Sequence, residues 1–420
     1  MKKICIDARI EPGVDGGIEQ VVLGLAQGFS KMTNGDEKYY FLTNKKFAKL
    51  LKKFIGGACQ IIISCEPDPP NWIINFKKKY PNIKKRWHLL KYFYYYVLGI
   101  KNLKLATSQG IINENDFDLI HFVSQTAFLT NIPNIYHPHD LQHIHLPNFF
   151  SKWHFYTRET FYKKFCEQAN IIAVSSSWTK SDIIKHYGIS NEKIKVIPLA
   201  PPTEGYPKPS AGDIIEVKKK YYLPSEFAFY PAQTWPHKNH ISLIKAVAAI
   251  RDKHHIVIPL VFSGRINDFF QKIKKCIQKY QMNNQVQFLG YVTPLELQVL
   301  YKLCRCVVIP SKFESASFPL WEAFAAGVPA ACSNVTSLPQ QAGDAALIFD
   351  PNNIKSIENA VRQLWINEKL RSELVKKGKQ NFQQYNWKKT CYLFRTYYRM
   401  ILRADLSKAE HRLCHIKPVL

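Results

Sequence analysis

Short apolar runs alternate with helical segments along almost the whole chain, and this alternation constrains the fold more than any other feature. In the first half, strands are predicted near residues 4–8, 39–42, 60–63, 119–122, 135–137, 171–174 and 195–197, with helices near 18–29, 152–168 and 178–186. In the second half, strands are predicted near 228–231, 257–262, 286–288, 307–309 and 329–331, with helices near 240–250, 267–280, 295–303, 320–326 and 354–365. Strands that alternate with helices form parallel sheets covered on both faces, so the chain is predicted to be an α/β protein.

A proline-rich stretch separates the two halves. Residues 198–209 contain five prolines, which continue neither a helix nor a sheet. Because 420 residues also exceed the usual size of one core, we predict two Rossmann-like, doubly wound domains. The N-terminal domain is expected over 1–203 and the C-terminal domain over 204–385, with a C-terminal helix in 386–420 returning to the N-terminal domain. Ligands bind at the carboxyl ends of such strands, so both domains should face an interdomain cleft.

The chain is strongly basic, with a formal net charge of +26, which should attract an anionic partner. Part of the charge lies in an insertion, 71–104, which holds nine Lys or Arg residues and no Asp or Glu, interleaved with Trp72, Trp87 and the aromatic run 92–96. Basic residues beside aromatics suit an anionic lipid surface. The alternative is a solvated helical face whose aromatics pack on their own domain.

The N-terminus begins like a signal peptide, but Asp7 and Arg9 interrupt its apolar run. Nowhere do roughly 18 uncharged apolar residues follow one another, which a spanning helix would need. Ten cysteines without paired spacing indicate reduced, buried thiols rather than a disulfide framework or a zinc site. We therefore expect a cytoplasmic protein that is peripheral on the inner face of the cell membrane.

The most informative segment runs from Pro310 to Pro329, with Glu314 in a predicted loop and Glu322 in the helix that follows. Pro319 stands where that helix should begin, because its fixed φ and missing N–H cost nothing in a first turn. The free N–H groups and positive dipole end of the helix then face the loop, an arrangement that binds phosphate. A carboxylate accepts from two adjacent hydroxyls, so the two glutamates suit a sugar and a ribose. Taken alone, however, the pair would also fit ordinary surface acids.

The spacing Glu-x7-Glu followed by Ala-Phe-Ala-Ala-Gly-Val-Pro resembles the signature of family-4 retaining glycosyltransferases, which have the GT-B fold. Other segments are similar to mannosyltransferase-like members of group 1: residues 139–143, 174–182, 196–200, 230–240, 289–292 and 337–346. The similarity covers nearly the full chain except the basic insertion and the last few dozen residues. It implies transfer of a hexose from a nucleotide diphosphate sugar.

The resemblance implies three catalytic residues. Glu314 would bind hydroxyls of the donor sugar, and His139 would lie beside that sugar on the N-terminal side. Lys238 would hold the diphosphate as a point charge, which suits a leaving group that gains negative charge.

Further positions are expected to bind the donor. Glu322 would hold the ribose, and backbone N–H groups around Ser317 and Phe318 would stabilise the phosphate. Gly16 and Gly17 stand between the first strand and the first helix, where glycines let the backbone approach a sugar or phosphate. A glycine turn at a strand–helix junction is also common without any ligand.

The chain departs from the family pattern in three places. Many members carry an Arg six residues before the phosphate-binding Lys, where this chain has Ala232. Arg265 could supply part of that charge and is a candidate donor-binding residue, although a plain surface Arg is an equal alternative. Gln340 stands where relatives often have Glu, and we assign it no role. Residues 315–317 replace a glycine-rich loop, so less backbone freedom is expected there.

Two patterns imitate metal sites. Asp116-Phe-Asp118 is similar to the metal-binding motif of the other major glycosyltransferase fold, but it directly precedes a strand where members of this family also have acids. His137, His139, His143 and His145 lie close together, but Pro138 breaks their spacing and only Asp140 accompanies them. We therefore expect no metal and no cofactor beyond the donor.

The sequence thus predicts a retaining hexosyltransferase, with GDP-mannose favoured as donor and a glycan or lipid-linked acceptor of cell-surface polysaccharide, lipopolysaccharide or O-antigen synthesis. One alternative is a catalytically idle GT-B protein that binds a partner or a lipid. The charge also raises the possibility of a nucleic-acid binder, but we find no recognition helix or stacking sheet and expect no nucleic-acid partner.

Overall fold

The computed structural model describes residues 1–13, 16–64, 112, 114–201 and 203–415. The basic insertion 71–104 lies outside these residues. In the described part of the N-terminal half, seven strands form one parallel sheet in the order β3-β2-β1-β4-β5-β6-β7. These strands are β1 (Lys2–Asp7), β2 (Glu37–Thr43), β3 (Cys59–Ile63), β4 (Leu119–Phe122), β5 (Asn134–Tyr136), β6 (Ile171–Val174) and β7 (Ile194–Val196).

Helices cover both faces of this sheet. They are α1 (Gly17–Ser30), α2 (Lys45–Leu51), the single turn α3 (Gln142–His145), α4 (Lys152–Gln168) and α5 (Ser177–Tyr187), numbered along the described residues. Ile4 and Ile6 of β1 belong to the core on one face, while Cys5 belongs to the core on the other. Because both faces are buried, the strands are continuously apolar rather than alternating.

The C-terminal half forms a second parallel sheet, in the order β10-β9-β8-β11-β12-β13. Its strands are β8 (Ala228–Pro231), β9 (Leu260–Ser263), β10 (Val286–Phe288), β11 (Cys306–Ile309), β12 (Ala330–Ser333) and β13 (Ala346–Phe349). Its helices are α6 (Ala211–Tyr221), α7 (His240–His254), α8 (Phe270–Lys279), α9 (Pro294–Leu303), α10 (Phe318–Ala326), α11 (Leu338–Ala342), α12 (Ile354–Ile366) and α13 (Glu368–Phe382). This strand order is the dinucleotide-binding order of a Rossmann domain.

The predicted fold class is confirmed: two Rossmann-like parallel sheets occur in one chain. Five helices were not predicted from the sequence, namely α2, α3, α6, α11 and α13, and two strands also differ from the prediction. Strand β9 begins at Leu260 rather than at 257, and Val257 is exposed. Strand β13 was not predicted, because its four residues follow a short helix and, at the sheet edge, Leu347 is only partly buried and Ile348 is exposed.

The chain returns to the N-terminal sheet after α13. Helix α14 (Trp387–Ile401) packs against α1, and Thr390 Oγ1 donates a hydrogen bond of 2.6 Å to the carbonyl of Pro198. The hydroxyl of Tyr398 lies 2.8 Å from Nδ1 of His121 in β4. A last helix, α15 (Lys408–His415), follows α14 and contacts it. The first and last described parts of the chain therefore share one core.

Eight cysteines are free and buried among the described residues, and burial raises the pKa of thiols such as Cys304 and Cys391. Among the same residues, no helix is both long and apolar enough to cross a membrane.

Candidate functional site

Loops that follow the strands of both sheets meet between the two domains. An added Cβ on Gly17, at the start of α1, would lie 3.4 Å from the ring of Phe318, at the start of α10. The Ser175 hydroxyl, just after β6, donates to the carbonyl of Ser315 over 3.1 Å. Since strands of parallel sheets present their carboxyl ends to the same edge, these contacts place the two binding edges face to face.

The centre of the C-terminal edge is an ion pair between Lys238 and Glu314. Lys238 Nζ lies 2.6 Å from Glu314 Oε1, and the Ser311 hydroxyl donates to the same oxygen over 2.6 Å. No described residue donates a hydrogen bond to Oε2 of Glu314, so this oxygen remains able to accept from a ligand. The carboxylate is 9% exposed and the lysine side chain 22%, which leaves both within reach of the cleft.

A tight turn after β8 holds Lys238 in this position. Asn239 has φ +58°, a left-handed conformation that Asn adopts more readily than most residues, and its Nδ2 anchors the turn by donating to the distant carbonyls of Pro310 and Pro351 over 3.0 and 2.9 Å. The backbone N–H of Lys312 donates to the carbonyl of His237 over 2.7 Å. The turn carrying Lys238 and the loop carrying Glu314 are thus fastened to each other.

Side-chain hydrogen bonds, rather than glycines, shape the loop 315–317. Ser337 Oγ donates to the carbonyls of Glu314 and Ser315 over 2.8 and 2.7 Å. Gln341 spans the backbone of Ser317, because its Oε1 accepts from the N–H over 2.9 Å and its Nε2 donates to the carbonyl over 2.6 Å. These bonds hold the loop without any positive φ among its residues.

Glu322 lies inside α10 and is buried. The Tyr301 hydroxyl donates to its Oε2 over 2.7 Å. Burial raises the pKa of Glu322 to about 7, although the hydrogen bond from Tyr301 opposes that shift. Because the Glu322 carboxylate accepts only one hydrogen bond from the protein side chains, its other lone pairs can accept hydrogen bonds from two adjacent hydroxyls of a ligand.

On the N-terminal side, His139 has φ +64°, in the left-handed region that non-glycine residues rarely adopt. Its Nε2 lies 2.8 Å from the carbonyl oxygen of Val123. Because a carbonyl can only accept, Nε2 carries the proton and Nδ1 is an acceptor. Burial lowers the pKa of His139, so the ring is neutral near pH 7. It stacks on His137 with the ring centroids 3.9 Å apart.

The glycine loop after β1 faces the C-terminal domain. Gly16 has φ +49°, and a Cβ there would lie 3.4 Å from Nε2 of Gln233. Glu19, in the first turn of α1, accepts a hydrogen bond of 2.7 Å from the N–H of Gly13 and so ties the loop to the helix.

Comparison with known proteins identifies the chain. Residues 15–204 match the family model described as Glycosyltransferase Family 4, and residues 213–381 match the one described as Glycosyl transferases group 1. The chain belongs to the group 1, family 4 glycosyltransferases. The prediction that it is an enzyme of this family is therefore confirmed, and the two-domain arrangement is the GT-B fold.

Similar proteins agree with this assignment. The chain is 28% identical over 266 residues to O-antigen chain mannosyltransferase B of Escherichia coli, covering 61% of this chain and 70% of that one. It is 25% identical over 276 residues to O-antigen chain mannosyltransferase RfbU of Salmonella typhimurium, covering 66% and 70%. The crystal structure of HepE from Anabaena in complex with UDP-glucose superposes with a TM-score of 0.69 at 16% identity, covering 95% and 100%, which shows a shared fold.

The hydrogen-bond donors at the start of α10 differ in part from those predicted for this glycosyltransferase. The N–H of Ser317 donates to Gln341, so it is not available to a phosphate in this structure. The Ser317 hydroxyl is buried and has no hydrogen-bond partner among the described residues, which makes it the free donor at this position. Pro319 has no N–H, so Phe318 supplies the adjacent backbone donor.

Arg265 is exposed, and its carbonyl accepts from the N–H of Thr234 over 3.2 Å. The loop that carries it touches the loop of Ala232, because a Cβ on Gly264 would lie 2.6 Å from the Ala232 backbone. The structure therefore places Arg265 beside the position of the missing arginine, but not against Lys238 or Glu314.

Among the described residues, neither pattern that imitates a metal site brings three of its own side chains together as possible ligands of one ion. Asp118 lies at the amino end of β4, opposite the binding edge, where its Oδ2 accepts from the N–H of Lys3 over 2.7 Å. His143 lies 3.0 Å from Oε2 of Glu159, and His145 2.8 Å from Oδ1 of Asp182. Sequence reasoning missed these carboxylates because they lie 16 and 37 residues away. It also missed Tyr301, which donates to Glu322, and it quoted the segment that holds Ser337 and Gln341 without predicting their bonds to the loop 314–317.

Proposed function

We propose that this glycosyltransferase moves a hexose, with mannose favoured, from a nucleotide diphosphate sugar to a glycan or lipid-linked acceptor in O-antigen or lipopolysaccharide synthesis. GDP-mannose is the favoured donor, because the two relatives described above are mannosyltransferases of O-antigen chains. The observation that carries the proposal is the Lys238–Glu314 pair beside the start of α10.

In the proposed reaction the sugar enters the acceptor on the face from which the nucleotide leaves, so the anomeric configuration is retained. The bond between the anomeric carbon and the phosphate oxygen breaks as the bond to the acceptor oxygen forms. The acceptor proton passes to the leaving phosphate. The protein then contributes positioning and charge stabilisation rather than a covalent nucleophile, which agrees with a Glu314 carboxylate already engaged by Lys238 and Ser311.

Each side chain has a distinct part in this proposal. Lys238 neutralises charge on the diphosphate, helped by the N–H of Phe318 and the Ser317 hydroxyl at the positive end of α10. Glu314 Oε2 accepts from sugar hydroxyls, and Glu322 accepts from the ribose. The neutral His139 lies beside the sugar with Nδ1 as an acceptor. Because Lys238 and the helix terminus supply positive charge, we propose that transfer requires no metal ion.

The test is transfer from GDP-mannose by purified variants. We expect Lys238→Ala and Glu314→Ala each to lower turnover at least about 100-fold, the usual cost of losing one stabilising group of this kind. Lys302→Ala and Glu373→Ala, on exposed positions of α9 and α13, are the matched controls and should keep full activity. All four should retain their fold by circular dichroism. Full activity in either site variant would refute the assignment.

The donor can be identified separately. A bound donor stabilises the native state in proportion to its affinity, so thermal unfolding with GDP-mannose, UDP-glucose and other nucleotide sugars should single out one of them. The anomer of the product, read by NMR, decides between retention and inversion.

We also propose that the protein works on the cytoplasmic face of the inner membrane. The net charge of +26 supports attraction to anionic lipid, and the basic insertion 71–104 is the proposed contact. Sedimentation with vesicles should show binding to anionic but not to zwitterionic lipid, weakened by salt. Deletion of 71–104 should abolish that binding; if the deletion variant sediments as well as the intact chain, the insertion is not the contact.

A further inference from the structure

Three ligating side chains converge on the N-terminal domain outside the donor site. His145 ends the turn α3, while Asp182 and His186 lie four residues apart on one face of α5. Their nearest nitrogen and carboxylate atoms all lie within 4.8 Å of one another. His145 Nε2 is 2.8 and 2.9 Å from the two oxygens of Asp182, and His186 Nε2 is 3.4 Å from Oδ1.

Hydrogen bonding accounts for only part of this cluster. His145 and Asp182 form a well-placed bond, but Nε2 of His186 is buried and has no hydrogen-bond partner among the described residues. A buried polar atom without a partner usually indicates a missing water or ion. Here the nitrogen lies 3.4 Å from a carboxylate oxygen that also contacts the imidazole of His145, so two imidazoles and one carboxylate share one small volume.

The separations suit a tetrahedral ion. Zinc binds imidazole nitrogen and carboxylate oxygen at about 2.0–2.1 Å, so neighbouring ligand atoms lie about 3.3 Å apart around it. The two separations to Asp182 straddle that value, at 2.8 and 3.4 Å, and the ligand nitrogens of the two imidazoles lie within 4.8 Å of each other. The two imidazoles are 31% and 25% exposed, so small rotations can bring their nitrogens into place. Two imidazoles and a carboxylate are a ligand set that favours zinc over magnesium or calcium.

The cluster also lies against the loop that carries Glu314. The His145 ring is 5.5 Å from the ring of Phe313, and the ring of Trp178, in the first turn of α5, meets the same Phe313 edge-on at 5.7 Å. Phe313 is buried between the domains, directly before Glu314 in the chain. Fixing His145 to α5 would therefore fix both aromatic partners of Phe313.

We propose that His145, Asp182 and His186 bind one zinc ion, with water in the fourth position, and that this ion braces the contact between the N-terminal domain and the Phe313 side of the cleft. The site is structural and contributes no group to the transfer reaction. It is independent of the donor residues, so zinc binding can be measured without any donor or acceptor.

The experiment uses the full chain, freed of metal with a chelator and titrated with zinc chloride in a calorimeter. The parent protein should bind one equivalent of zinc. His186→Ala and Asp182→Asn should lose at least about 10-fold in affinity, because each removes one of three protein ligands. His154→Ala, on an exposed position of α4, is the matched control and should bind zinc as the parent does.

Two further measurements report the site itself. Zinc should raise the melting temperature of the parent and of His154→Ala, but not that of His186→Ala. Cobalt in place of zinc should give the visible absorption of a four-coordinate ion in the parent and lose it in His186→Ala. If Asp182→Asn fails to fold, the zinc affinity of His186→Ala alone tests the proposal, because the side chain of His186 is partly exposed and its loss should be tolerated. The proposal is overturned if zinc does not saturate at one equivalent, or if His186→Ala binds it as tightly as the parent.

Discussion

Replacing Glu322 by Gln should stabilise the ligand-free protein, and the gain should depend on pH in a defined way. Burial raises the pKa of Glu322 from an ordinary value of 4.5 to about 7 in the folded chain. Below pH 4.5 the carboxyl is protonated in both the folded and the unfolded chain, so Glu322 does not lower the unfolding free energy through its charge. Between 4.5 and 7 the unfolded chain releases a proton that the folded chain keeps, so stability falls as pH rises. Above pH 7 the carboxyl is ionised in both states, and the burial of its charge lowers the unfolding free energy by the full amount.

The size of the stability difference follows from the difference between the pKa values of Glu322 in the unfolded and the folded chain. A shift of one pKa unit corresponds to about 1.36 kcal/mol, so a shift of this size corresponds to about 3 kcal/mol of unfolding free energy. Glutamine has nearly the same shape, its oxygen can still accept from Tyr301, and it does not ionise. The advantage of Glu322→Gln over the parent should therefore grow from pH 4.5 to pH 7 by about 3 kcal/mol and then level off.

The measurement is urea unfolding at several pH values between 5 and 8.5, with the variant compared with the parent at each. Glu373→Gln, which alters an exposed glutamate of α13, should show no pH-dependent difference. A difference for Glu322→Gln that stays flat across this range would refute the argument that burial perturbs this carboxyl. So would a difference of the opposite slope.

Three other outcomes are expected. Donor binding should weaken as pH falls below about 7, because a protonated Glu322 accepts fewer hydroxyl hydrogen bonds, and Glu322→Gln should flatten that dependence in a binding titration. Gly24→Ala should lower the melting temperature, since an added Cβ would overlap the ring of Trp387 and overpacking costs about 1–3 kcal/mol; Gly212→Ala, where a Cβ meets only Ser210, is the control. Glu410→Gln should cost about 3 kcal/mol at pH 7, because it leaves the buried Arg395 without its carboxylate partner. Burial alone would raise the pKa of Glu410, but hydrogen bonds from Ser407 and the charges of Arg399 and Arg395 hold it below the ordinary value. The cost should therefore disappear as pH falls through the acid range in urea melts.

The repeating pattern of strands and helices was enough to predict two Rossmann-like sheets, because each buried strand is a short apolar run. The edge strand β13 was not predicted because Leu347 is only partly buried and Ile348 is exposed, so its apolar pattern does not report a buried strand. The boundaries of β9 shifted for a similar reason: Val257 is apolar but exposed, and periodicity cannot distinguish an exposed valine from a buried one.

In the site, sequence reasoning reached the residues that a local motif contains. Glu314 and Glu322 lie within one strand–loop–helix unit, and the resemblance supplied Lys238 from a distant turn. The supporting side chains could not be found in this way. Gln341 reaches Ser317 across 24 residues, and Tyr301 reaches Glu322 across 21, with only the folded geometry to connect them. The Ser317 N–H, expected to face phosphate, donates instead to the side chain of Gln341, which lies in a separate helix.

Helix α14 lies on α1, whose first residue, Gly17, faces Phe318 across the cleft. During synthesis the ribosome releases α1 first and α14 almost last, more than 350 residues later. Until α14 emerges, the surface around Gly24 and Gly28 that receives Trp387 and Cys391 stays uncovered, so the N-terminal domain cannot complete its core during translation. A chain that stops before residue 387 would lack part of the core of its first domain as well as its last helices. In the cell, such a truncated protein would expose an apolar surface on its N-terminal domain.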